Sequence, residues 1–160
     1  MDELIKIAER LSAGAHEGQF RRGGAPYLTH PAAVAESVPE RLRPIAWLHD
    51  ACEDSHLTPD DLREAGLPEY VVAAVSALSK GPGEDYDTYM GRVLMNPDAS
   101  AVKCADIAHN LTEDPRPTSR AKYLRAIPSL LAVAESVWPE VAGSLRLPNC
   151  TTAAGEAAFL

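Results

Sequence analysis

Apolar residues recur at three- and four-residue intervals along nearly the whole chain, and no pair of alternating segments flanks a hairpin turn. That is the period of helices buried by one face. In "DELIKIAERLSAGAH", Leu4, Ile7, Ala8, Leu11 and Ala15 fall on one stripe and predict a first helix. A Gly-rich turn follows in "EGQFRRGGAPYLTH", and Pro31, suited to a first helical turn, predicts a short second helix. "PERLRPIAWLHDACED" reads as a further helix, bent at or begun by Pro44. "LTPDDLREAG" carries a Thr58 cap, Pro59 in the first turn, acids at the N-terminal end and Gly66 as a stop. "PEYVVAAVSALS", "EDYDTYMGRVLMN" and "SAVKCADIAHNL" predict three more helices, the last two separated by "NPDA". The region from Ser119 to about Arg146 reads as helical, with turns near Pro128 and Pro139. The expectation is an all-α single domain, a helical bundle over residues 1–148, with residues 149–160 as a weakly ordered tail.

Composition narrows the function. The chain has 160 residues, 46% of them apolar and 24% charged, enough for a real core in one domain. Its net charge is −8, the wrong sign for a general nucleic-acid binder. A small anionic ligand would need local basic groups or a metal to overcome that background. No apolar run approaches a membrane span. Three cysteines (Cys52, Cys104 and Cys150) include no CxxC pair, and the N-terminal residues lack a signal-peptide pattern. Free thiols in a reducing cytoplasm are expected.

The chemistry concentrates in "WLHDACEDS", where His49, Asp50, Cys52, Glu53 and Asp54 follow an apolar run. On a helix, His49 and Glu53 share a face, as do Asp50 and Asp54. Acids placed so close repel one another unless water or a cation compensates. Either a solvated helix end or a metal site accounts for the cluster. His30 in "LTHP" and Asp106 in "AVKCADIAHNL" add an imidazole and a carboxylate, the latter in a largely apolar helix that would bury its charge. Two imidazoles and two carboxylates suit manganese, iron or zinc better than magnesium or calcium.

Order and spacing carry more than any single residue. His-x-x-Gln-x-Arg before Pro-Tyr-x-x-His-Pro, then His-Asp-x-x-Glu-Asp, "VSALSK" and "VKCADIAHNL" together resemble the metal-dependent HD phosphohydrolases. Within them, the likeness is to the hydrolase domain of the RelA/SpoT family, in four blocks over residues 15–111. The resemblance implies that His30, His49, Asp50 and Asp106 hold a metal, usually Mn2+, and that Glu53 and Asp54 position or deprotonate the attacking water. It also implies that Arg21 and Arg22 contact the base and nucleotide and that Asn110 holds the nucleoside. His16 and His109 are expected to pack around the ligands, Tyr27 against the first helix, and Lys80 and Lys103 to be surface lysines.

Three departures stand out: Ile107 where the long enzymes carry Arg, Glu113 where they commonly carry Thr, and a shorter stretch between His30 and His49. The function implied is hydrolysis of the 3′-pyrophosphate of (p)ppGpp by a small stand-alone enzyme without room for a synthetase domain. The alternatives are another nucleotide or dinucleotide phosphate as substrate, or a non-catalytic nucleotide- or partner-binding module. The expected partner is a small-molecule nucleotide, with no nucleic acid and no membrane. No oligomeric state is assigned.

Overall fold

A computed structural model describes residues 1–113 and 115–144, with the side chains of 142–144 excepted. The proposed tail, 149–160, and Cys150 lie outside the described residues. The described part is helical: α1 (Asp2–Ala15), α2 (Thr29–Glu36), a 3-10 turn (Glu40–Leu42), α3 (Arg43–Leu48), α4 (Ala51–Asp54), α5 (Pro59–Glu64), α6 (Glu69–Leu78), α7 (Tyr86–Leu94), α8 (Pro97–Thr112), α9 (Pro117–Glu135) and α10 (Pro139–Ser144). The only extended pairing among the described residues is an isolated antiparallel bridge between Phe20 and Pro26.

Helix α3 is the hub. It packs on α1, α2, α6 and α8, and α8 in turn packs on α9. Its Ile45, Ala46 and Leu48 are fully buried, as are Leu42 just before it, Val34 of α2, Val71, Val72 and Val75 of α6, and Ile107 of α8. Burying such side chains supplies the main drive to fold, roughly 1.5–3 kcal/mol each. Local signals set the ends. Thr58 and Asp61 form a reciprocal capping box at α5, and Asp85 and Asn96 cap α7 and α8 through Thr88 N–H and Ala99 N–H. Gly66 ends α5 at φ 89°, a conformation open chiefly to glycine. Among the described residues no helix is long and apolar enough to cross a membrane.

Two helix expectations need correction. The helix expected through "RPIAWLHDACED" is two: α3 ends at Leu48, and α4 begins at Ala51 with Asp50 as its N-cap. Asp50, at φ −104° and ψ −10°, departs from regular helical angles, and the helix is interrupted at His49 and Asp50. Pro128, expected at a turn, lies inside α9. It sits on the exposed face of the helix, where the backbone carbonyl it leaves without a donor can meet water. The α9–α10 turn comes at 136–138, where Trp138 Nε1 donates to Asp98 Oδ1 at 2.7 Å and ties the turn to the start of α8.

Candidate metal centre

Three elements meet at the floor of one cavity. Helix α2 presents His30, the break between α3 and α4 presents His49 and Asp50, and the middle of α8 presents Asp106. His30 Nε2 lies 3.1 Å from His49 Nε2 and 3.1 Å from Asp106 Oδ1, and His49 Nε2 lies 3.1 Å from Asp50 Oδ2. Two further separations are 3.6 Å for His30 to Asp50 and 3.7 Å for His49 to Asp106. His30, His49 and Asp106 are 1–3% exposed. Donor atoms about 2.1 Å from one ion at right angles would stand about 3.0 Å apart, so the spacing of His30, His49 and Asp106 fits a shared cation, with Asp50 beside His49 as a fourth candidate donor. The donor set, two imidazole nitrogens and two carboxylate oxygens, fits a divalent transition ion.

Each donor has an outer partner. His49 Nδ1 donates to Ala46 O at 2.7 Å, which turns its Nε2 toward the cluster. His30 Nδ1 lies 2.9 Å from His109 Nδ1, and burial with the neighbouring His30 lowers the His109 pKa. A neutral His109 can accept the His30 proton and leave His30 Nε2 free. Tyr27 Oη donates to Asp50 Oδ2 at 2.7 Å. Lys103 Nζ donates to Asp106 Oδ2 at 2.7 Å, and Asn110 Nδ2 to Asp106 Oδ1 at 2.5 Å.

The field at the cluster favours positive charge. Burial opposes charging His49, yet Asp50 and Asp106 raise its pKa to about 10. Burial also opposes ionising Asp50 and Asp106; even so, the His49 charge holds Asp50 below the usual carboxylate range, and Lys103 does the same for Asp106. Lys103 stays charged because Asp106 outweighs its burial. Burial and Asp50 push the Tyr27 hydroxyl up, so it serves as a proton donor to Asp50.

The cavity above measures about 710 Å³. Glu53 and Asp54 of α4 line its wall. Glu53 Oε2 accepts from Lys80 N–H at 3.0 Å, and burial beside Asp50 raises the Asp54 pKa. The loop carrying Lys80 is itself held. Arg92 donates to Ser76 O, Ala77 O and Ser79 O at the end of α6 and pairs with Glu84, which accepts from Gly81 N–H. Arg21, Arg22 and Asn110 line the cavity too. Arg21 Nη2 reaches Asn110 Oδ1 at 3.0 Å and forms an ion pair with Glu113.

One sequence expectation changes, and two other residues gain detail. Lys103 is no surface lysine, since its side chain is 15% exposed and bound to Asp106. Tyr27 does pack against the end of α1, its ring 4.6 Å from His16, but its hydroxyl enters the site. Ile107, in place of the family's Arg, is fully buried and faces away from the cavity. Sequence reading did not anticipate Arg92 or the exposed Phe20 at the cavity mouth. The one available signal for Phe20 is an aromatic residue beside paired arginines in a Gly-rich turn.

Comparison with known proteins gives a consistent answer. No family model matches the chain. It is 41% identical over 78 residues to a Haemophilus influenzae protein named guanosine-3′,5′-bis(diphosphate) 3′-pyrophosphohydrolase, covering 44% of this chain and 11% of that one. It is 30% identical over 139 residues to the Escherichia coli bifunctional (p)ppGpp synthase/hydrolase SpoT, covering 76% and 20%. A Mycobacterium leprae probable GTP pyrophosphokinase is 31% identical over 121 residues, covering 68% and 15%. The chain thus spans a fifth or less of the length of these relatives. A solved structure described as a metazoan ortholog of SpoT that hydrolyses ppGpp superposes with a TM-score of 0.71 at 17% identity, covering 98% of this chain and 97% of that one. By its sequence likeness and its helical fold, the chain is an HD-type domain resembling the hydrolase domain of SpoT.

Proposed function

We propose that this chain is a Mn2+-dependent phosphohydrolase that removes pyrophosphate from the 3′ position of (p)ppGpp. The observation that carries the reading is the convergence of His30, His49, Asp50 and Asp106 beneath a cavity walled by Glu53 and Asp54. A pure binding module has no need of a water-activating pair set beside a buried cation site. The names of the relatives supply the substrate class.

His30, His49, Asp50 and Asp106 would hold the ion. When bound, it lowers the pKa of water and offsets charge on the transferring phosphoryl group. The protein's own groups do the rest. Ala46 O and His109 orient the two imidazoles, while Tyr27 and Lys103 fix the carboxylates. Asp54, whose pKa is raised by burial and by Asp50, is suited to take the proton of the attacking water. Glu53, tethered to Lys80 N–H, orients that water from the same turn. Lys80 and Lys122 line the wall and offer cations to the phosphates, while Arg21, Arg22 and Asn110 hold the nucleoside at the other end.

The test is product analysis. The chain incubated with Mn2+ and ppGpp should yield GDP and pyrophosphate, resolved by ion-exchange chromatography. Release of single phosphates, or rapid cleavage of a dinucleotide ribose phosphate with ppGpp untouched, would favour the alternative substrate.

A further inference from the structure

Lys80 and Lys122 line the cavity and offer cations to phosphates, while Arg21, joined to Asn110 and Glu113, and Phe20 next to it in the chain form a second group. That second group is the chemistry of nucleobase binding: an apolar ring to stack on, a planar cation, an amide and a carboxylate.

Phe20 is 67% exposed although it is large and apolar. It is pinned in place by the bridge to Pro26, with Arg21 N–H donating to Ala25 O at 2.8 Å and Tyr27 N–H to Gln19 O at 2.9 Å. Gly24, at φ 86°, allows the tight return between them. Arg21 is fixed in orientation, its guanidinium held at the edge by Asn110 Oδ1 and Glu113 Oε2 and lying 5.8 Å from the Tyr27 ring centroid. Glu113 is half exposed, its side chain at 41%, and lines the cavity. Its Oε2 is engaged by Arg21, whereas no described group binds Oε1.

We propose that Glu113 reads the base: Oε1 accepts from the adjacent ring N–H and amino N–H donors of guanine, while Arg21 fixes the carboxylate and Phe20 stacks on the base. This rests on the reading of the cavity as a nucleotide site. Guanine presents two neighbouring donors on its pairing edge, which complement an acceptor-only carboxylate. Adenine places a lone pair at the ring position where guanine has its N–H, and the carboxylate repels it. One well-placed pair of this kind discriminates between bases by roughly 10- to 100-fold.

The experiment is calorimetric titration of the full chain with GDP and with ADP, alongside hydrolysis of the two 3′-pyrophosphorylated nucleotides. Wild type should bind GDP at least about tenfold tighter than ADP. Glu113→Gln keeps an oxygen for Arg21 but turns an N–H donor toward the base, so the preference should collapse or invert toward ADP. Phe20→Ala should weaken both ligands alike and leave the ratio intact. Unchanged helicity and thermal midpoint would show that either variant folds. A guanine preference that survives Glu113→Gln overturns the proposal, as does hydrolysis of ppGpp by a wild type that binds GDP and ADP equally. If neither base is bound and neither nucleotide is cleaved, the nucleotide reading itself fails, and this proposal with it.

Discussion

At the floor of the cavity, His30, His49 and Asp106 are 1–3% exposed, and each is held by a partner on its far side. At the proposed nucleoside end, Arg22 sits exposed in a loop beside the largely covered Arg21, and Glu113 follows the last turn of α8. The first region is over-determined: moving one ligand disturbs an imidazole, a carboxylate, a lysine and the helix packing beneath them. The second rests on a few hydrogen bonds at the surface. Changes in a loop are absorbed more easily than changes in a packed interior. Chemistry is therefore the rigidly held property of such a cavity, and specificity the adjustable one. The Glu113 departure falls where adjustment costs least.

The sharpest way to break this comparison is at the floor. Asp106→Asn keeps the shape and part of the hydrogen bonding but removes the charge that Lys103 and the imidazoles face. The variant should lose stoichiometric Mn2+ by elemental analysis and at least about 100-fold in activity, since one loss removes both the ion and its chemistry. Asp50→Ala should behave alike. Full metal content in either variant would mean that the four donors are not the ligands.

One step away from the ligands, Glu53→Gln and Asp54→Asn should keep the metal and lower turnover on the order of 100-fold. Calorimetric Mn2+ titration beside a turnover assay separates the two effects. A wild-type rate in Glu53→Gln would remove Glu53 from the mechanism. Lys103→Met asks whether the outer partners matter at all. It should weaken Mn2+ binding by about 10-fold, the lower end for groups that orient a ligand without touching the ion. No change in affinity would make Lys103 a packing residue after all.

The residue types of the floor were readable because a cation site would demand them: "THP", "HDACED" and "KCADIAHN" supply the His30, His49 and Asp106 that could hold an ion and the Asp50 beside them. Their supports were not. Tyr27 and Asp50 are 23 residues apart, and Arg21 and Asn110 are 89 apart, so nothing local signals either contact. Lys103 looked exposed because its burial depends on how α7 and α8 meet. The helix interruption at His49 and Asp50 has no local signal because apolar spacing continues through it. Pro128 stayed helical because its side of α9 faces solvent, a fact of packing and not of pattern. The helices themselves were legible from period and caps.

The smallest expected effect lies within the arginine pair, which the sequence treats as equivalent. Arg21 is 12% exposed at its side chain and bound by Asn110 and Glu113, whereas Arg22 is exposed and makes no hydrogen bond or ion pair among the described residues. Arg21→Ala should raise KM by about 10-fold with kcat little changed, because a contact made equally in the ground and transition states acts on binding alone. Arg22→Ala should raise KM only about 2- to 3-fold, as an exposed, unpaired cation acts through screened attraction. That small effect should shrink further in salt, while the Arg21 effect persists, since Arg21 holds partners in place as well as carrying charge. Steady-state kinetics of both variants at low and high ionic strength decide it. If Arg22→Ala costs as much as Arg21→Ala at high salt, the loop closes over the substrate and brings Arg22 into direct contact, and the nucleoside end is then more tightly built than its exposed side chains suggest.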